Sequence, residues 1–541
     1  MGRIATGNVF GPIQPAAFSF VPGQARKSHL RCCQTRFWMP NAFAYVMIFS
    51  WPLVALVLFR TLPLHKALIW TIIGGHLILP TSAGLKLPML PMLDKSLIPS
   101  LSALVLCLIY APRPANGTPV AQIRIKWVIY GLLTLLFVAP IMTVLQNPDP
   151  IIVGPRYIQG LRLYDAFSMI SSIAVHVLPF FLGLRYLNTR EAHQSLLQAF
   201  VAAALVYTLP ALFEIRMSPQ LNNWIYGFFP SEFIQHIRAG GFRPVVFLNH
   251  GLMLGIFLCL ATLSALVLWR EALRQGKTAS GWIFAVVWLI GTLFLSKNFG
   301  ALAIAVSLSM LVTLGSRRLQ VSVSVAIAVT VLLYPMLRGA GWIPVQSVYE
   351  ISASMSPERA ESLKFRFDNE DALLGHANEK PVFGWGSWGR NQLYEAESGK
   401  MTTVTDGVWI ILIGTYGWVG YIAHFGLLCL PIMFFARRYR QFGPSIITPG
   451  LMVVLSANLI DLLPNAGLVN HVWLMAGAMA GFVIWRPKND EEGAVATSSP
   501  HRQWGATLGA ATPGPSWLMA SQQVSEQRVR RKAGGRRGQT R

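Results

Sequence analysis

Two arginines and a lysine are the side chains of this sequence best suited to bind an anion. Arg238 and Arg243 flank the pair Gly240-Gly241 shortly before a long apolar run, and Lys297 stands in a short turn between two other runs. A cation at the edge of such a run is costly unless it meets an anion or a carboxylate, and the planar guanidinium suits phosphate. Paired glycines also let the backbone approach a ligand closely. The pattern predicts a site for a phosphate-bearing ligand; the alternative is that these side chains reach to lipid headgroups.

An acid and a histidine also stand at the ends of apolar runs. Asp406 precedes the run that begins at residue 407, and its carboxylate is a candidate general base or the partner of an arginine. The alternative is a plain helix N-cap. His250 opens the run after Arg243 and is a candidate substrate-binding residue, the alternative being a buried histidine with a satisfied hydrogen bond.

The segment 381–391 combines aromatic and glycine residues. Trp385 and Trp388 alternate with three glycines and are followed by Arg390. Aromatic faces beside accessible backbone commonly form sugar-binding surfaces, so these three side chains are candidate substrate-binding residues. The alternative is a turn packed at the membrane interface. No compact group of His, Asp or Glu with metal-ligand spacing accompanies them in the sequence, and no metal site is predicted.

Long apolar runs must position these residues. Of the 541 residues, 53% are hydrophobic and only 12% are charged, whereas a soluble domain has roughly 25% charged residues. The runs approach the ~20 residues that cross a bilayer. They lie at about 40–59, 67–83, 97–112, 127–146, 165–184, 196–213, 249–269, 282–296, 298–315, 320–337, 407–435, 445–463 and 471–485. The sequence therefore predicts an all-α polytopic membrane protein, with about 12–13 transmembrane helices over 39–485 and one large extracytoplasmic loop.

The basic residues indicate sidedness rather than nucleic-acid binding. The net charge of +23 comes largely from Lys and Arg between apolar runs, which is typical of cytoplasmic loops. Alternating the spans places six basic loops and the C-terminus in the cytoplasm. It places loops 214–248 and 338–406 outside. The second contains the mixed-charge run 358–371, which includes Arg366 and Glu370 and is predicted to form a helix over the bundle mouth.

The two termini fit this pattern less simply. With thirteen alternating spans and a cytoplasmic C-terminus, residues 1–38 lie outside although they are basic. Either a span is miscounted near 84–96, or these residues are a disordered extension that is not native. The second explanation is preferred. Residues 486–541 are predicted to be a disordered basic tail, either merely solvated or attracted to anionic membrane lipid.

The order of these features resembles the O-antigen ligase and O-antigen polymerase family of bacterial membrane glycosyltransferases. The resemblance covers roughly 195–485 and depends on five segments. They are Arg-Ala-Gly-Gly-Phe-Arg at 238–243, Ser-Lys-Asn-Phe-Gly-Ala-Leu at 296–302, the loop with Pro-Val-Phe-Gly-Trp-Gly at 381–386, Thr-Asp-Gly-Val-Trp at 405–409, and the closing span after Asp461 and Asn465.

The resemblance implies a fold and an activity. Members use oligosaccharides on undecaprenyl pyrophosphate at the outer face of the bacterial inner membrane, with no cofactor and no metal. It implies that Arg238, Arg243 and Lys297, with Arg390 as a further candidate, stabilise the leaving pyrophosphate, and that Asp406 is the general base or orients one. A flippase and a chain-length regulator of the same pathway are implied as partners.

Ligase members tend to have a histidine where this sequence has Asp406-Gly407, and Lys297 replaces the usual arginine. Both departures count against a ligase to the lipid A core and leave a polymerase for exopolysaccharide or O-antigen open. The long loop with Gly-Trp-Gly at 384–386 most resembles the polymerase members. A polysaccharide transporter or lipid flippase, and a structural subunit of an envelope complex, remain alternatives from other classes.

Overall fold

The computed structural model describes residues 39–86, 91–111, 123–238, 240–355 and 357–485. The predicted extension at 1–38 and the predicted tail at 486–541 lie outside these residues. Sixteen α-helices form within them: α1 Ala42–Thr61, α2 Leu64–Ile78, α3 Leu97–Tyr110, α4 Ile123–Leu145, α5 Leu163–Tyr186, α6 Arg190–Met217, α7 Leu221–Tyr226, α8 Gly251–Arg274, α9 Ser280–Leu295, α10 Phe299–Leu314, α11 Arg317–Gly339, α12 Val345–Met355, α13 Pro357–Asn378, α14 Val408–Arg438, α15 Ile447–Asp461 and α16 Asn470–Ile484.

The predicted all-α membrane fold is confirmed. Among the described residues, seven helices are long and apolar enough to cross a membrane, namely α1, α4, α5, α6, α8, α11 and α14, and six shorter apolar helices accompany them. Each of the thirteen predicted apolar runs contains one of these helices. The described strands form only three two-stranded hairpins, β1–β2 (Gly84–Leu85, Leu93–Asp94), β3–β4 (Ile151–Val153, Arg156–Ile158) and β5–β6 (Ile237–Arg238, Gly241–Phe242).

Side-chain contacts sort the loops into two ends of the bundle. Asn41, before α1, donates to the carbonyl of Ile225 in the loop between α6 and α8, and Asn147, after α4, donates to Gly384 in the large loop. These loops lie at one end, called here the outer end. At the opposite, inner end, Arg190 donates to Phe442.

The start of α1 therefore lies at the same end as the two large loops, as the alternation predicts. The stretch 84–96 contributes the hairpin β1–β2, in which Gly84 pairs with Asp94, and its described part adds no further span. A miscounted span in this stretch therefore does not explain why the count of spans places the basic residues 1–38 outside.

A break in α14 receives the large loop. Gly417 has φ +65° inside the helix, and a Cβ there would collide with the backbone of Val382. The freed backbone groups pair with the loop: Trp418 donates to Pro381 at 2.7 Å and Trp385 donates to Gly414 at 2.8 Å. Irregular backbone at membrane depth is tolerated where protein buries it. The Gly/Trp segment is therefore part of the packing of α14.

Helix α13 crosses the outer ends of α11 and α14. Arg338, at the end of α11, lies 2.8 Å from a carboxylate oxygen of Asp371 on α13. Asn369, also on α13, accepts a hydrogen bond from the backbone of Val404 at 3.0 Å. The mixed-charge run is thus a helix that is tied both to the bundle and to the segment leading into α14.

Candidate functional site

The hairpin β5–β6 holds the two predicted arginines. Arg238 pairs with Gly241, and Gly240 makes the turn with φ +70°, a left-handed conformation that glycine adopts without strain. The backbone N–H of Arg243 donates to the carbonyl of His236 at 2.8 Å. The hairpin therefore determines where both arginine side chains leave the backbone.

A buried carboxylate in the last turn of α6 anchors the chain after the hairpin. Glu214 accepts backbone hydrogen bonds from Val245 and Val246 at 2.7 Å each and from Leu221 at 3.0 Å. Val246 has φ +56°, which is unfavourable for a β-branched residue, so these bonds stabilise a strained backbone. Because Arg243 lies two residues before Val245, its position depends on Glu214.

The turn between α9 and α10 brings the third predicted cation to the hairpin. The ammonium of Lys297 donates to the carbonyl of Arg238 at 2.8 Å, and a Cβ at Gly241 would collide with it. In return, the guanidinium of Arg243 donates to the carbonyl of Lys297 at 3.5 Å. The three cations that the sequence predicts to share a site are thus linked by hydrogen bonds. The lack of a side chain at Gly241 makes room for the Lys297 ammonium.

His250 lies beside these arginines as the N-cap of α8. Its ring is 4.7 Å from that of His236, and its Nε2 is 3.3 Å from the side-chain oxygen of Gln235. Burial, followed by the positive charges of Arg243 and two other arginines, lowers the pKa of His250 to about 4. The imidazole is therefore neutral at physiological pH and offers a hydrogen bond, not a charge.

Helix α13 delivers an arginine to Asp406. The Nε of Arg366 lies 3.3 Å from Oδ2 of Asp406, with both side chains about a third exposed (36% and 28%). The N-cap of α14 is Gly407, so Asp406 is the partner of an arginine and not the cap. Burial raises the pKa of Asp406, and the charge of Arg366 opposes this rise.

The same arginine belongs to the cationic site. Burial first, and then the charges of Arg238 and Arg366, lower the pKa of Arg243 to about 10. The charges of Arg238 and Arg366 therefore act on Arg243. Arg238, Arg243 and Lys297 are joined by hydrogen bonds, and Arg366, in contact with Asp406, lies within electrostatic reach of Arg243.

A second carboxylate lies close to Asp406. Glu370 follows Arg366 by one turn of α13 and is 7% exposed, with Oε2 3.9 Å from Nε of Arg338. Burial raises the pKa of Glu370 to about 7; Arg338 opposes this rise, and the negative charge of Asp406 adds to it. Glu370 thus interacts both with Asp406, whose charge affects its pKa, and with Arg338, which binds α13 to the end of α11.

The predicted sugar-binding residues have other neighbours. The indole of Trp385 stacks on the ring of His376 at 4.4 Å and donates to its carbonyl at 2.8 Å. The Lys380 ammonium lies over the same ring, 4.4 Å from its centroid. Trp388, with φ +60°, packs against the hydrophobic core.

The side chain of Arg390 also makes its hydrogen bonds within the protein. It is 2% exposed and donates to three backbone carbonyls, those of Trp385 at 3.1 Å and of Gln159 and Asp149 at 3.0 Å each. The structure therefore places Trp385, Trp388 and Arg390 in the packing of the large loop, apart from the hydrogen-bonded cations. Their described contacts favour the packed-turn alternative over sugar binding.

Two residues of the site were not singled out from the sequence. Arg366 was one charge in a mixed run, and only the folding of α13 across α14 distinguishes it from its neighbours. Glu214 had a signal, an acid one residue beyond a predicted apolar run. An acid at a membrane edge needs a partner, but the sequence does not show that the partners are backbone N–H groups.

Comparisons with known proteins add no family. No protein-family model and no curated protein matches this sequence.

Proposed function

We propose that the protein joins oligosaccharide units carried on undecaprenyl pyrophosphate at the outer face of the bacterial inner membrane. The product is an exopolysaccharide or an O-antigen, and the enzyme is a metal-independent glycosyltransferase. The observation that supports this best is the group of three hydrogen-bonded cations, Arg238, Arg243 and Lys297, with the pair Arg366–Asp406 within electrostatic reach of Arg243. It is accompanied by the resemblance in motif order described above.

The reaction assigns a role to each part of this group. An acceptor hydroxyl oxygen attacks the anomeric carbon of the donor sugar, and the bond from that carbon to the diphosphate oxygen breaks. That oxygen keeps the electron pair, and fixed cations stabilise the developing charge. Asp406 takes the proton of the hydroxyl.

A polymerase is preferred to a ligase because this sequence has Asp406-Gly407 where ligase members tend to have a histidine. The deciding experiment deletes the gene and separates surface polysaccharide on a gel. Loss of long chains with accumulation of single repeat units supports the polymerase. Loss of all units from the lipid A core, with polymer still made, supports the ligase. Unchanged polysaccharide refutes both.

A transporter or flippase of lipid-linked sugars is a second candidate, favoured by ionisable residues inside the bundle. His76 on α2 and His471 on α16 are buried with ring centroids 4.9 Å apart, and neither ring nitrogen of His471 has a hydrogen-bond partner among the described residues. Intramembrane ionisable groups commonly mark transport paths. In the same deletion strain, this function predicts that single units also fail to reach the surface.

A further inference from the structure

Asp406 has a partner that competes with its proposed role as a base. A carboxylate bound to a guanidinium holds its charge more tightly and is a weaker proton acceptor. In the structure the Nε of Arg366 lies 3.3 Å from Oδ2 of Asp406. A base that must accept a proton would therefore have to lose this contact, or most of it, at the moment of reaction.

Arg366 also interacts electrostatically with the cationic site. Its charge lowers the pKa of both Arg243 and His250, so it lies within electrostatic reach of the cationic site. Arg238 and Arg366 repel the partly buried Arg243, and an anion bound beside Arg243 would offset this repulsion. A diphosphate brings negative charge and several acceptor oxygens, which guanidinium groups bind in a bidentate manner.

We propose that Arg366 couples donor binding to activation of the base. Without a donor, Arg366 pairs with Asp406 as in the structure. When the donor diphosphate enters beside Arg243, Arg366 shifts its hydrogen bonds to the phosphate oxygens and leaves Asp406 unpaired. This inference rests on the proposed function.

The release of Asp406 makes it a better base through its surroundings. Burial disfavours its charged form, and the charged groups that face it from α13 are Arg366 and Glu370. Once Arg366 turns away, burial and the neighbouring Glu370 both favour the protonated form. Asp406 then accepts the hydroxyl proton as the new glycosidic bond forms, while the electron pair of the broken bond leaves on the diphosphate. The base is thereby active only when a donor is present, which protects the lipid-linked sugar from premature attack by water.

Competition between Asp406 and a diphosphate for one arginine can be measured directly. The probe is inorganic pyrophosphate, titrated by calorimetry into the purified full-length protein in lipid nanodiscs, without divalent cations. Asp406→Asn frees Arg366 and should tighten pyrophosphate binding about tenfold, whereas Arg366→Gln should weaken it about tenfold. Arg366→Lys keeps the charge and should remain within about threefold of the unmodified protein.

The double variant separates this coupling from simple charge removal. If Asp406 acts through Arg366, Asp406→Asn should change the affinity by about twofold or less when Arg366→Gln is already present. An equal tightening in both backgrounds means that Asp406 only repels the anion, and this overturns the inference. No tightening by Asp406→Asn in the single variant overturns it as well.

The controls keep this inference distinct from the proposed function. Arg162→Gln, an exposed arginine at the outer start of α5, should leave the affinity unchanged, and each variant should elute as the unmodified protein does. If Arg243→Gln weakens binding but the cycle shows no coupling, the donor site stands and only the role of Arg366 is wrong. If the unmodified protein binds no pyrophosphate, both proposals fail.

Discussion

The ammonium of Lys297 donates a hydrogen bond to the backbone carbonyl of Arg238 at 2.8 Å. These residues belong to different loops, one between α6 and α8 and the other between α9 and α10. Arg243 closes the link by donating to the carbonyl of Lys297. The cationic site is therefore formed by two loops whose own charged residues hold them together. Removing one of these charged residues should disrupt the site.

Arg243→Gln tests this most directly, because its guanidinium is the central cation of the site. Removing one fixed donor to a developing anion should slow polymer formation about 10²–10³-fold. Arg243→Lys keeps the charge without the planar fork and should fall in between. Polymer made by membranes per unit time is the measurement, with Arg162→Gln as the control. Full activity of Arg243→Gln would remove this residue from the site.

The pH dependence of stability should report Glu370. Its pKa is about 7 in the folded protein, against 4.5 as the ordinary value. The folded state therefore holds a proton that the unfolded chain has lost, and the free energy of unfolding should fall as pH rises from 4.5 to about 7 and then stay level. The effect is on the order of 3 kcal/mol.

Glu370→Gln mimics the protonated carboxyl and should remove this dependence. Hydrogen exchange of the α13 peptide between pH 5.5 and 8, corrected for intrinsic rates, is the measurement. Glu361→Gln changes an exposed acid on the same helix and should keep the slope. A slope that survives in Glu370→Gln would assign the pH dependence to another group.

Arg390→Gln should damage folding rather than sugar recognition. Its loss leaves three backbone carbonyl groups without this donor, which destabilises the large loop by about 2 kcal/mol. Arg390→Lys should not restore it, since one ammonium does not reproduce the three-way fork. The yield of folded protein after size-exclusion chromatography measures this, with the exposed Arg162→Gln as control. Normal folding with lost polymer would instead indicate a substrate contact.

Glu214→Gln should displace Arg243 without touching it. The amide has only one acceptor oxygen for three backbone N–H groups, so the segment at Val245 and Val246 should move and activity should fall. The measurement is polymer made by membranes per unit time, with the exposed Arg162→Gln as the control. If Glu214→Gln is fully active, the anchor does not position the site.

The orientation of the bundle is open to reporter fusions. Alkaline phosphatase, which is active outside the cytoplasm, should be active when fused after Glu350 and inactive after Gly315 or Trp485. This follows from placing the basic inner loops in the cytoplasm. The reverse pattern would put the cationic site in the cytoplasm and contradict the proposed donor.

The sequence by itself determined the helices and their alternation. Hydrophobic runs of membrane length form helices wherever they occur, because backbone groups in lipid must bond within the segment. Each of the thirteen runs contains a helix for this reason, and the two large loops lie at one end. Arg238, Arg243 and Lys297 were also recognised from the sequence, because a cation at a membrane edge is unusual on its own.

Tertiary structure decided which loop residues meet. The sequence predicts Trp385 and Arg390 as binding residues, but the backbone of their segment pairs with α14 at the break at Gly417. Arg390 donates its hydrogen bonds to backbone carbonyls of the protein. Arg366 looked like one charge among many, but the crossing of α13 over α14 brings it to Asp406. Loop contacts depend on the packing of distant helices, and no local pattern of residue types records that packing.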